Sequence, residues 1–509
     1  MYHKCFCRLG FVSATLALVL GHTAARAQQT TGDPFSDPIQ FGTPEAGVEP
    51  FAVIPRSNNA QPRMNLLAPA YDGSGRVFVN DPRGPMSAIS EDGSSVSLYL
   101  DIRTVDPSIS TNNEGGFQGF AFHPDFETNG KLYTLHGTTN TGPALTFPAG
   151  FVNQHQILFE WTADDPAAST FSGPAPRQVM RVPQRFNNHL GGALMFDYNA
   201  QPGDEDFGLL LVSFGDGGGS ADPLGAGQDP AVPNGKILRI DPLQGPQGET
   251  YTVPATNPFT DDAATLDEIY ALGFRNTQRI SYDPIGILPD PIMTDIGQGV
   301  VEEVNRLVAE ANYGWVEREG SFGFVNNFTV ARTPTPAAFT DPIAEYDHSE
   351  GQAITGGYVI RADAPRGLYG GYIFGDLANG RLFYVENVGT LENGGSDAVR
   401  ELRLVNPDGS PTTMAQQVNS SRVDLRFGID ESNRIYVLNK RDGIVRRLFH
   451  AGCPADFDGN TVVNISDLFA FINVFTASGI DPRRDYDGNG VENISDLFAF
   501  IGAFGEVCP

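Results

Sequence analysis

The sequence predicts an all-β protein with a short helical tail, and three observations carry that reading. Helical periodicity is scarce before residue 450, glycine (58) and proline (37) punctuate short apolar runs throughout, and one two-strand motif recurs. The motif is an apolar strand, a turn rich in Asp, Pro, Gly or Asn, and a second apolar strand. Copies begin at Met64 (MNLLAPAYDGSGRVFV), Phe117, Gly191, Arg279, Ile354 and Val423. Six hairpins at loosely regular spacing predict a radial architecture, a six-bladed β-propeller with one hairpin per blade. Variable intervals are expected if long loops gather on one face and build a site there. A large sandwich is the competing fold, but it does not require six similar hairpins.

The N-terminus reads as a secretory signal over residues 1–27. Lys4 and Arg8 precede an apolar stretch from Leu9 to Leu20, and Ala25-Arg26-Ala27 fits a cleavage site before Gln28. A retained membrane anchor is the alternative, but the apolar run is short for a span and no later stretch is longer. Residues 28–50 read as an irregular Pro/Gly-rich lead-in, 51–449 as the propeller, and 453–509 as a separate module. The formal net charge is -28, and removal of the signal takes away three basic residues and no acid. Such a surface repels phosphate backbones and anionic lipid, which argues against nucleic acid or membrane as partners and favours cations. Cys5 and Cys7 leave with the signal. Cys453 and Cys508 remain, and in an exported protein they most simply form one disulfide, with two free thiols as the alternative.

The tail contains two near-copies, DFDGNTVVNISDLFAFINVF from Asp456 and DYDGNGVENISDLFAFIGAF from Asp485. A twelve-residue calcium loop needs oxygen donors at positions 1, 3, 5, 7, 9 and 12. The first copy offers Asp456, Asp458, Asn460, the Val462 carbonyl, Asn464 and Asp467. The second offers Asp485, Asp487, Asn489, the Val491 carbonyl, Asn493 and Asp496. Each loop runs into a helix with a wide apolar face, Leu468, Phe469, Phe471, Ile472 and Phe475 in the first copy. One such run is an ordinary Asx-rich turn; two with every donor position filled predict calcium. With no helix before either loop and Asp as the last donor, the segment resembles a type I dockerin. That resemblance implies a cohesin-like partner or attachment to a cell-surface assembly, and a stabilising cap within the chain is the plainer alternative.

In the large domain, NNHLGGALMF places His189 before Gly191-Gly192 at the entry of a strand. Neutral imidazole there is either a general base for a substrate hydroxyl or a hydrogen-bonded structural histidine. LVSFGDGGGSADP reads as a turn, with Asp216 or Asp222 as calcium donors the alternative. Arg275-Asn276 offers a planar fork beside a donor–acceptor amide, or else a buried ion pair. Asp295 to Trp315 holds a Gly-Gln-Gly turn, an acidic pair and an aromatic platform.

Taken together, GFAFHPDF, HLGG, FGDGG, NGKILRIDP, YTVPATNPF, LGFRN, NYGW, ITGGYV and FGDLANGRLF resemble the glucose/sorbosone dehydrogenase family, in family order from about Met64 to Leu448. The resemblance implies a six-bladed propeller that oxidises the anomeric carbon of aldoses with pyrroloquinoline quinone (PQQ) held on calcium. It implies that His189 takes the sugar hydroxyl proton, that Arg275 and Asn276 contact the cofactor, and that carbonyls near Gly297 and Gln298 hold its calcium. Where quinone-dependent members carry an anchoring lysine, this chain has Ala378; in place of their Arg-x-Arg-Asp string it has SSRVDLRFG, with Arg422 and Arg426. The turn at Gly297-Gln298 also resembles the non-enzymatic propeller of the vertebrate hedgehog-interacting protein. Two readings follow: an exported PQQ-dependent aldose dehydrogenase tethered by its dockerin, or a non-catalytic propeller that binds carbohydrate or protein on the same tether.

Overall fold

The computed structural model describes residues 30–56, 60–140, 142, 145–147, 152–362, 368–386, 394, 398–451, 453, 455–458, 462–477, 484, 486 and 493–504. The signal-like segment 1–27, Asn460, Asp485, Asp487, Asn489, Val491 and Cys508 lie outside them. The chain is mostly β, with few helices.

Among the described residues, six units of four strands follow one another; three form separate sheets, and the other three join edge to edge within one 13-stranded sheet. Unit 1 runs from Leu67–Pro69 to Val96–Asp101, unit 2 from Phe117–Phe122 to Arg177–Gln184, and unit 3 from Leu194–Phe196 to Ile269–Leu272. Unit 4 runs from Thr277–Ser281 to Ala344–Asp347, and unit 5 from Ile354–Val359 to Arg400–Val405. Unit 6 takes Arg426–Ile429, Ile435–Leu438 and Ile444–His450 from the end of the domain and its fourth strand, Phe41–Val53, from the beginning. Each of the six sequence hairpins supplies the first two strands of one unit.

These strands read as apolar runs because they are covered on both faces. Leu210–Phe214 (LLVSF) and Val77–Asn80 (VFVN) are buried at every position. A separate apolar core fills each junction between successive units. Phe78, Phe120, Phe122 and Trp161 lie between units 1 and 2. Phe196, Leu210 and Leu158 lie between 2 and 3, and Leu211, Ile280 and Met293 between 3 and 4. The series continues through Tyr346 with Phe374 and Tyr358 with Phe427. Tyr436 and Leu438 then pack on Leu67 and Val79, returning unit 6 to unit 1. The packing therefore closes on itself, in a β-propeller-like arrangement.

The strand Phe41–Val53 corrects the expectation of an irregular lead-in over 28–50. It pairs antiparallel with Ile444–His450 and parallel with Arg400–Val405. Pro44 and Pro50 lie within it, next to the two irregularities of its register at Phe41/Glu45 and Pro50/Ala52. Proline cannot donate to the ladder, so an interrupted strand of this kind reads as loop in sequence.

In unit 4, Glu303 and Glu345 stand directly opposite each other across two paired strands. Both are buried, and the desolvation of two facing carboxyls pushes Glu345 up to about 7 and Glu303 higher than its ordinary value. The stabilising contribution of Glu345 is therefore full below about 4.5, its unperturbed value, and is lost as pH rises through about 7. Glu345→Gln, which mimics the protonated carboxyl, is expected to melt close to the parent at low pH and above it at neutral pH and higher. The gap should approach roughly 3 kcal/mol, read from melting temperature against pH. Phe122→Ala empties part of the junction between units 1 and 2 and is expected to cost about 3–5 kcal/mol in denaturant unfolding, with the far-ultraviolet spectrum unchanged.

Candidate functional site

Along the axis of the six units lies a polar cavity of about 370 Å³. Each unit contributes the residues at the entry of its first strand: Asn65, Gln118, His189 with Gly191, Gln278 with Arg279, Gln352 with Ala353, and Arg426. At the other end of these strands Tyr71, Tyr198, Tyr282 and Tyr358 line a separate pocket of about 160 Å³. One mouth is thus polar and the other aromatic.

His189 sits at φ 52°, a left-handed conformation that costs a non-glycine residue about 1–3 kcal/mol. Gly191 and Gly192 follow, also at positive φ. A Cβ on Gly191 would meet the Gly215 nitrogen at 2.8 Å, so glycine here permits the close approach of the neighbouring backbone. The imidazole is 4% exposed and held from both sides. Nδ1 lies 2.8 Å from Asp216 Oδ1, and Nε2 lies 2.8 Å from Arg275 Nη2. A carboxylate accepts and a guanidinium donates, so the partners place the imidazole hydrogen on Nδ1 and a lone pair on Nε2. Asp216 is itself fixed, by the Trp315 indole N–H at 2.9 Å and the Gly218 amide at 2.8 Å. Asp216 is fully buried, and its contact with Nδ1 orients His189. The sequence reading missed this role because the Gly-rich string around Asp216 resembles any loop.

Arg275 donates to His189 Nε2, the Ile296 carbonyl and Gln298 Oε1, and stacks 5.7 Å from the Trp315 ring. Asn276 accepts from the Gly191 amide and donates to Glu114 Oε2. Buried Asp295 accepts the backbone N–H of both, and desolvation raises its carboxyl above the ordinary range. The amides of Gln298, Gly299 and Val300 all point at Glu319 Oε1 at 2.8 Å, and the Gly297 amide at Glu302. With those N–H groups committed, the carbonyl oxygens of the turn are the donors it can still offer a cation. His189, Arg275, Asn276, Gly297 and Gln298 all line the one cavity.

Ala378 does not line it; it borders a shallow surface pocket with His348 and Asp376. Arg422 and Arg426 do line it, joined by three cations the sequence reading did not single out: Arg63, Arg279 and Lys440. Arg279 and Arg426 are buried in the first strands of units 4 and 6, TQRIS and RFGI. Desolvation lowers the Arg279 guanidinium to about 10, and desolvation with the nearby Arg279 lowers Arg426 to about 9. The Nε of Arg279 is buried without a hydrogen-bond partner. The acids of the cavity are already engaged: Asp424 pairs with Arg422 and Arg441, and Glu114 Oε2 with the His189 amide and Asn276. A surplus of desolvated cations, one with an orphaned N–H, fits an anion carrying several carboxylates.

In the tail, Asp456, Asp458 and Asp467 bring carboxylate oxygens within 4.8 Å of one another, a group able to hold a metal ion. Asp467 also sits at the third residue of the helix Ile465–Thr476, where it accepts from the Asn464 amide at 2.8 Å. Asp496 repeats this with Asn493 ahead of the helix Ile494–Phe504. Asn464 Oδ1 accepts from the Ser466 amide and Nδ2 donates to the Val462 carbonyl, so both of those expected ligands are engaged locally. Cys453 is disulfide-bonded. Phe471 and Phe500 stack at 4.6 Å to join the two helices, while Phe469, Ile472, Phe498 and Ile501 remain exposed.

Comparison with known proteins gives the fold a relationship. The HIPL1 protein of Arabidopsis thaliana is 27% identical over 441 residues, 76% of this chain and 61% of its own length. The hedgehog-interacting protein of Mus musculus is 25% identical over 309 residues, 60% of this chain and 40% of its own. The chain thus spans roughly half the length of the curated relatives it matches. Among solved structures, the PQQ-bound aldose sugar dehydrogenase of Streptomyces coelicolor aligns with 80% of this chain and 99% of its own, at TM-score 0.53 and 18% identity, a likeness of fold. The family model for glucose/sorbosone dehydrogenases matches residues 65–410, more than half of the sequence, and the chain belongs to that family.

Proposed function

We propose that the six units are the blades of a propeller whose polar mouth binds PQQ with calcium and oxidises the anomeric carbon of an aldose or oligosaccharide. The observation that carries this is the His189–Asp216 pair standing in a cavity with more cations than carboxylates. The residues present fit the cofactor: a tricarboxylated quinone needs several cations, and the orphaned Arg279 N–H supplies one beside Arg63 and Arg426, which have no carboxylate within 4.0 Å among the described residues. Carbonyls at Gly297 and Gln298 would hold the calcium. PQQ, when bound, supplies the two-electron acceptor for the hydride from the sugar. His189 receives the C1 hydroxyl proton at Nε2, and Asp216 stabilises the resulting imidazolium through Nδ1. Arg275 now donates to Nε2, so it yields that atom when substrate enters.

In this reading the chain is exported and its tail binds calcium as a dockerin does, presenting the exposed Phe469/Ile472 and Phe498/Ile501 pairs to a cohesin-like or cell-surface partner. A second reading, a non-catalytic propeller that binds carbohydrate or protein, is favoured by the guanidinium that covers Nε2 and by the kinship with HIPL1 and the hedgehog-interacting protein.

Purified protein given PQQ, calcium, an artificial electron acceptor and a panel of aldoses is expected to reduce the acceptor. His189→Ala should lower that rate about 10²–10⁴-fold while PQQ binding persists; a parent that binds PQQ and turns over no sugar establishes the second reading. For the tail, calcium is expected to raise the melting temperature, and the double variant Asp458→Ala/Asp467→Ala should lose one bound calcium by titration calorimetry. An unchanged stoichiometry removes the first loop as a site.

A further inference from the structure

We infer that Lys440, in the loop after the second strand of unit 6, is the cation that anchors a carboxylate of the anionic ligand in the central cavity. The inference rests on the anion-binding reading above and deepens it, because it moves the lysine anchor from unit 5, where this chain has Ala378, to another unit.

Three observations support it. First, the sequence has only four lysines, Lys4, Lys131, Lys236 and Lys440, against a far larger number of arginines. Lys131 is paired with Glu160 at 2.8 Å, and buried Lys236 donates to the carbonyls of Ala226 and Asn234. Both are spent on structure. Lys440 lines the cavity, and among the described residues its ammonium makes no hydrogen bond and has no carboxylate within 4.0 Å.

Second, its backbone is held in place. Buried Asn439 accepts the amides of Arg441 and Asp442 at 2.7 and 3.0 Å and donates to Asp442 Oδ1, while its own carbonyl accepts from Met64 of unit 1. Arg441 in turn is engaged by Asp424 and the Arg422 carbonyl. The loop is pinned on both sides of Lys440, and the lysine side chain is the part left to act.

Third, its surroundings disfavour its charge. Desolvation, then Arg426 and Arg63, hold the ammonium well below the usual lysine range, with Asp424 opposing them. Such a group gains more from an arriving carboxylate than a solvated lysine does.

The test measures equilibrium binding of PQQ at saturating calcium, followed by absorbance and by quenching of tryptophan fluorescence, with citrate as a second polycarboxylate probe. Lys440→Gln is expected to weaken PQQ binding by about tenfold to a hundredfold and Lys440→Arg by far less. The ligand-free melting temperature of Lys440→Gln should be unchanged or raised, since a repelled charge has been removed. Acylation of the parent by an amine-specific reagent, mapped by mass spectrometry, should fall at Lys440 when PQQ is present and stay constant at Lys131. If Lys440→Gln binds PQQ as tightly as the parent, or PQQ gives Lys440 no protection, the anchor is wrong and the functional reading stands. If the parent binds citrate in a Lys440-dependent way and ignores PQQ, the anchor stands and the PQQ reading falls. If it binds neither, both fall.

Discussion

Like charges gathered in a largely buried cavity repel one another, and that repulsion must be offset by the rest of the fold. Arg279 and Arg426 are almost fully buried, each bonded to Asn65 and otherwise to backbone carbonyls of the inner strands. Neutral dipoles soften a charge without cancelling it. The offset comes from the six apolar junctions, which are continuous around the axis and keep the inner strands from parting. Stability is concentrated between the units so that the mouth can remain under electrostatic stress, which is where an enzyme or a receptor for anions needs it.

Within that mouth, one hydrogen bond divides the two functional readings. The contact between Arg275 and His189 Nε2 fixes the orientation of the imidazole, and it also occupies the atom that the catalytic reading assigns to a sugar hydroxyl. In a catalyst this is a resting state that gives way to substrate. In a binding protein it is the end state. The same guanidinium also reaches Gln298 and the Ile296 carbonyl, so its position depends on the turn that would hold calcium. On the catalytic reading, the turn proposed for the metal and the proposed base would be linked through this one side chain.

Much of this was legible before any coordinates. The paired hairpins could be read because the inner strands are apolar on both faces and the turns between them carry residues with few other uses. His189, Arg275 and Asn276 stood out as polar residues at strand entries, and the structure brings them together. The strand Phe41–Val53 was hidden by Pro44 and Pro50, whose missing N–H groups mimic a loop. Asp216 was hidden by its glycines. The basic cluster was illegible for a different reason: Arg63, Arg279 and the pair Arg426 and Lys440 come from distant stretches of the chain, and no local pattern marks residues that meet only when the ring closes.

The strand that completes unit 6 has a consequence for how the molecule comes into being. Phe41–Val53 pairs with Ile444–His450, nearly four hundred residues later in the sequence. Its other edge pairs with Arg400–Val405, also distant in sequence, so neither side of the ladder is satisfied by a local partner. Completing unit 6 joins the two ends of the large domain, and a long-range closure of this kind is intrinsically slow and leaves an open edge until it occurs. A polypeptide that crosses a membrane before it folds would meet this step only after both extremes have arrived on the same side.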